Sequence, residues 1–184
     1  MTAWIDGIAT GLRRLNHVIA LIVGLVLLAT VGFVLVDITM RQFGVSFGGS
    51  EEISGYVMAG VASWGLSYTL TERAHVRIDL IRLKLRSTGQ TVLDLIAMLA
   101  LSATAVLVAW HAWPVLQKTL ARGSHANTAL ETPLWIPQSI WLSGWVWFAL
   151  SAVILTLCAL ALLVRRPGAI GDLIGTTTEV EFDQ

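Results

Sequence analysis

Residues 37–80, DITMRQFGVSFGGSEEISGYVMAGVASWGLSYTLTERAHVRIDL, decide how the rest of the chain reads. An apolar segment, 53–70, stands between two charged groups. Asp37, Arg41, Glu51 and Glu52 precede it, divided by a glycine-rich turn at 44–49. Glu72, Arg73, His75, Arg77 and Asp79 follow it. This is the pattern of a membrane-crossing helix with charges at each water boundary. Along the segment Gly55, Ala59, Ser63 and Ser67 recur every fourth residue. Small residues at that interval let helix backbones approach closely, so they form the expected helix-packing face.

Working outward, the composition agrees with a lipid-surrounded chain. Of 184 residues, 55% are hydrophobic and only 13% charged, where a soluble domain carries roughly 25% charged residues. Twelve basic residues balance twelve acidic ones, which excludes a generally basic nucleic-acid binder. The single cysteine, Cys158, lies in an apolar run as a packed or lipid-facing residue, without a partner for a disulfide or thiol pair.

Upstream, residues 1–16 place Trp4, Ile5, Ile8, Leu12 and Leu15 at helical spacing around Asp6, Arg13 and Arg14. This predicts a short helix in the membrane interface. The uncharged run 18–36 then makes a first span, since about 20 residues cross the hydrocarbon. Downstream, 73–86 reads as an amphipathic basic helix lying on the membrane between spans two and three. A strand there would leave its backbone groups unpaired. A third span covers about 91–116 and a fourth about 136–164, the latter started by Pro133 and Pro137. Asp94 near the start of span three reads as an interfacial ion-pair partner before it reads as a proton relay, and His111 as an interfacial residue beside Trp110 and Trp113. The tail 167–184 is acidic. The domain plan is therefore an interfacial segment (1–16), a four-helix membrane domain (17–166) and a tail (167–184).

Basic residues set the orientation. Nine of the twelve lie on the side of the N-terminus, the second connector and the end of span four. Arg41, Lys118 and Arg122 lie on the other. Both termini are thus expected in the cytoplasm. The fold class is an all-α membrane protein with four transmembrane helices.

No phosphate loop, activated nucleophile or metal-ligand spacing is present in the sequence. The four histidines stand at different depths or in connectors, a poor arrangement for paired haem ligands. No span carries a central charge of the kind a stand-alone transporter needs. Such a chain is expected to serve a partner, with no enzyme activity and no cofactor of its own. The alternative is the membrane anchor subunit of a respiratory redox enzyme.

Arg41, Phe43, Gly44 and Ser46 (R-x-F-G-x-S), then Glu51 and Glu52 at the mouth of span two, then His75, Val76, Asp79 and Leu80 (H-V-R-I-D-L) resemble the small membrane subunit of tripartite ATP-independent periplasmic (TRAP) transporters, the DctQ type. TPLWIP at 132–137 is similar to that family's lead into its fourth span, and the resemblance covers roughly 10–165. It implies a bacterial inner-membrane complex. A large multi-span subunit would hold the substrate and sodium sites, and a periplasmic binding protein would deliver an organic acid anion. This subunit would brace the first and help dock the second. Asp37, Arg41, Glu51, Glu52, His75 and Asp79 are the candidate partner-interface residues. Asp37 and Arg41 can pair across one helical turn, and Glu51 and Glu52 can simply complement a helix N-terminus.

Overall fold

A computed structural model describes residues 3–74 and 87–165 of the chain. Four helices fill them: α1 (Ala3–Gln42), α2 (Ser50–Thr71), α3 (Ser87–Arg122) and α4 (Trp135–Arg165). The predicted basic helix between spans two and three, with His75 and Asp79, and the acidic tail lie outside the described residues.

The apolar runs dictate the helices, because a backbone in lipid must satisfy its own hydrogen bonds. α1, α3 and α4 are each long and apolar enough to cross a membrane. α2, at 22 residues, measures about 33 Å but is diluted by Glu51, Glu52 and its glycine, serine and threonine residues, and is not in that group. One boundary differs from the sequence reading. The interfacial segment 1–16 and span one form a single unbroken helix of 40 residues. Nothing between Leu12 and Val23 breaks a helix, and Ile5 and Leu12 are buried in the protein's own core.

The helices lie side by side in the order α1, α2, α4, α3, so that α2 and α4 form the middle. The core gathers Met98 and Ala105 of α3, Leu70 of α2, and Phe148, Ala152, Leu155, Cys158, Ala159 and Leu162 of α4. A smaller cluster of Ala112, Leu116 and Leu142 joins α3 to α4.

The α2–α4 crossing is the closest approach. A Cβ on Gly144 would stand 2.8 Å from Ser63 Cβ and 2.9 Å from the Ser63 carbonyl carbon. Trp64 Nε1 donates to the Ile140 carbonyl across the same contact at 3.0 Å. Of the expected packing face, Ser63 and Ser67 are buried here, while Gly55 and Ala59 face outward. A strict four-residue interval drifts about 40° per step on a helix of 3.6 residues per turn. The buried stripe alternates three and four instead: Gly60, Ser63, Ser67, Leu70.

α1 ends on a left-handed Gly44 (φ 79°). Val45 N–H bonds the Met40 carbonyl and Gly44 N–H the Arg41 carbonyl, both at 3.1 Å, the pairing of a Schellman motif. α2 and α3 close with the same pairs of bonds, at Ala74–Thr69 with Arg73–Leu70 and at Ser124–Thr119 with Gly123–Leu120.

Candidate functional site

Asp37 is the centre of the α1–α2 turn. It sits one residue past the uncharged run and is fully buried. One carboxylate oxygen, Oδ2, accepts from Ser50 Oγ at 2.6 Å and from both Nε (2.9 Å) and Nη2 (2.8 Å) of Arg41. The other, Oδ1, accepts from Phe47 N–H at 2.9 Å and Ser46 Oγ at 3.3 Å. Arg41 also donates to Ser50 Oγ at 3.1 Å and reaches Glu51 at 3.5 Å. The i,i+4 pair expected from the sequence is present, but most of the cage comes from the turn. A carboxylate out of contact with water needs this many donors, and in accepting them it fixes residues 46–50.

The two adjacent glutamates have different neighbours. The Glu51 side chain is 87% exposed. Glu52 accepts from Tyr56 Oη at 2.7 Å and from the Thr128 hydroxyl of the α3–α4 connector. That connector folds back on itself, with Ala126 N–H on the Thr132 carbonyl (2.9 Å) and Leu134 N–H on the Ser124 carbonyl (3.1 Å). Leu130 then rests on Gly49, where an added Cβ would meet its side chain at 2.5 Å. Residues 43–49 and the 123–134 connector thus form one braced ledge, held from α1 by Asp37 and from α2 by Glu52.

At the opposite end of α1 a second polar cluster appears that sequence reasoning did not single out. Asn16 is fully buried. Its Nδ2 donates to the Ser67 carbonyl at 3.1 Å and to Thr71 Oγ1 at 3.4 Å, and its Oδ1 accepts from Trp147 Nε1 at 2.8 Å. One side chain therefore ties α1 to both α2 and α4. One turn earlier Arg13 grips Glu72 through two bonds of 2.7 and 2.6 Å. Between Asn16 and Asp37 no α1 residue is buried. The offset of twenty-one positions between them rises about 32 Å, close to the thickness of the hydrocarbon. α1 is held by polar clamps at its two boundaries and lies against α2 between them.

The Arg13 guanidinium holds the Glu72 carboxyl below its ordinary value of 4.5. The clasp thus adds stability above that value and loses it as pH falls through the lowered one. Arg13 is largely exposed, so solvent limits the contribution to about 1 kcal/mol or less. Glu72→Gln is expected to lower thermal stability slightly at neutral pH, with the difference from the parent chain closing as Glu72 becomes protonated. Unfolding curves of both chains across that pH range check this.

The remaining candidates are scattered. Asp94 is buried in α3. His111 Nδ1 meets its own helix at the Leu107 carbonyl, 2.8 Å away. The exposed His17 ring lies 6.0 Å from that of Tyr68. Among the described residues no group of three or more His, Cys, Asp or Glu side chains is placed to hold a metal ion. Two open grooves, of about 560 Å³ between α1, α2 and α4 and about 540 Å³ between α3 and α4, are lined almost wholly by apolar side chains.

Comparison with known protein families gives a match over residues 30–166, well over half of the chain, to the family described as tripartite ATP-independent periplasmic transporters, DctQ component. No curated protein and no solved structure matches.

Proposed function

Because the chain belongs to the DctQ-component family of tripartite ATP-independent periplasmic transporters, we propose that this small permease subunit braces the large membrane subunit and helps to seat the periplasmic binding protein. The chain is a transporter component and not an enzyme. In this reading α2 is the fourth crossing, both termini are cytoplasmic, and the membrane is the bacterial inner one. The large subunit holds the sodium and substrate sites, and the cargo is an organic acid anion. The nine-to-three distribution of basic residues supports the orientation, which puts the braced ledge outside and the Arg13–Glu72 clasp inside.

The observation that carries the proposal is the ledge itself. Two connectors far apart in sequence are locked together through Asp37, Ser50, Glu52 and Thr128. A receiving surface must keep its shape before its partner arrives, since ordering loops on binding costs affinity. The subunit's role in assembly is tested by affinity capture of the tagged chain from native membranes in mild detergent. Recovery of a large multi-span protein in comparable amount supports it. Recovery of the chain alone, or with haem- or flavin-bearing proteins, overturns it.

The ledge distinguishes the two glutamates. Glu52→Ala is expected to lower solute uptake severalfold, because it releases the connector from α2. Glu51→Ala is expected to leave uptake near the parent level. Uptake of labelled solute by cells expressing the complete transporter, normalised to subunit amount, reads both; equal effects would dismiss the ledge as the docking surface.

A further inference from the structure

The turn between α1 and α2 has a property that a water-exposed loop does not need. It contains no charged residue from Gln42 to Ser50, and it exposes three alternating apolar side chains, Phe43 (79%), Val45 and Phe47 (56%). Five of its backbone donors are satisfied internally. Phe43 and Val45 N–H bond the Met40 carbonyl, Gly44 N–H the Arg41 carbonyl, Phe47 N–H the Asp37 carboxylate and Gly48 N–H the Ser46 hydroxyl. Water would serve these groups equally well; hydrocarbon would not. Asp37 itself is enclosed, so the loop carries no carboxylate awaiting solvation at its base.

Direction matters as much as composition. The Phe47 ring lies 5.9 Å from the ring of Phe33. Phe33 is one helical turn before Asp37 and inside the uncharged run, about 6 Å deeper along the helix. The loop therefore doubles back along α1 toward the bilayer.

We propose that residues 43–47 form a lipid-inserting anchor, whose Phe43, Val45 and Phe47 side chains enter the acyl region of the leaflet at that end of α1. The occupant is hydrocarbon, because the loop combines absent charge, three exposed apolar side chains, five backbone donors bonded within the chain and a ring packed at hydrocarbon depth. The anchor fixes the height of the rest of the ledge, Gly48, Gly49 and the 123–134 connector, relative to the membrane surface. This goes beyond the assembly role and stands independently of it, since insertion is read on this chain with or without a partner.

The test uses the full chain in nanodiscs, with Cys158→Ala as background and an environment-sensitive fluorophore attached through Phe43→Cys. Phe47→Cys provides a second, deeper site, and Asn127→Cys on the exposed connector a water reference. Lipids bearing a nitroxide on the acyl chain should extinguish emission from the loop sites, Phe47→Cys more than Phe43→Cys. Aqueous iodide should extinguish only the reference, and adding the co-expressed large subunit should change neither result. Loss of loop emission to iodide would overturn the proposal in favour of a solvated loop. Shielding from lipid nitroxide that appears only with the large subunit would overturn it in favour of protein docking. Phe43 is too exposed for its replacement to unfold the chain, so one site remains readable if Phe47→Cys is damaged.

Discussion

Replacing Gly144 with leucine is expected to separate α2 from α4 and to abolish recovery of folded chain. The reasoning starts from which atoms would collide. A Cβ at position 144 meets Ser63 at its side chain and at its carbonyl carbon, 2.9 Å away. A side-chain tip can rotate aside, but a backbone carbon in a helix cannot. Even alanine must then push two central helices apart, at about 1–3 kcal/mol for an overpacked core, against a total stability of about 5–15 kcal/mol. Leucine adds three more carbons to the same space. A control of opposite sign sharpens the test. Gly24 in α1 has nothing within 4 Å of its would-be Cβ, so Gly24→Ala should stabilise by about 0.5–1 kcal/mol through helix propensity. Ser63→Gly, which removes the Cβ and hydroxyl but not the carbonyl carbon, should restore only part of the loss in Gly144→Ala. Thermal unfolding in one detergent ranks all of these. A neutral Gly144→Ala would mean that the two helices do not cross at this contact.

What could be read from the sequence was whatever is encoded locally. The apolar runs announced their helices because their length is itself the signal. Asp37 and Arg41 are one turn apart, so their pairing followed from helix geometry alone. The rest of the cage did not, because Ser50 is brought to Asp37 only by the left-handed turn at Gly44 and the folded stretch after it. The contact of Glu52 with Thr128 spans 76 positions, and nothing in either segment points to the other. Two basic residues, Arg13 and Arg14, mimicked a break between an interfacial helix and a span. In the structure Arg13 continues the helix and finds its counter-charge on Glu72, at the end of α2. Of the four-residue small stripe only Ser63 and Ser67 are buried, because an exact interval of four does not follow the helix. The family resemblance rested partly on His75 and Asp79, which lie outside the described residues, yet the family match covers that stretch.

Asn16→Leu should be the most damaging single change outside the α2–α4 crossing, because this one buried side chain joins three helices at that end of α1. A lone asparagine at the edge of an apolar run looks like a boundary residue, and its acceptor role depends on Trp147, 131 positions away. Removing it leaves the Trp147 N–H unpaired in a part-buried site, which costs up to about 1–3 kcal/mol. Interhelical bonds in membrane proteins average lower, at roughly 0.6 kcal/mol and up to about 2, since a separated helix in lipid can find other partners. Here three helices share one side chain, so the upper part of that range is expected. Trp147→Phe removes the same bond from the other side while keeping most of the ring. If the bond is what matters, the double variant should be less damaged than the sum of the singles, with a coupling of about 0.5–3 kcal/mol. Simple additivity would assign the loss to packing alone. A second readout separates local from global damage: a cross-link between cysteines introduced on the inner ends of α1 and α2 should fail to form in Asn16→Leu, while one at the outer ends, beneath the intact Asp37 cage, should still form. Loss of both would show that the two clamps act as one unit, and that α1 is gripped by its whole length after all.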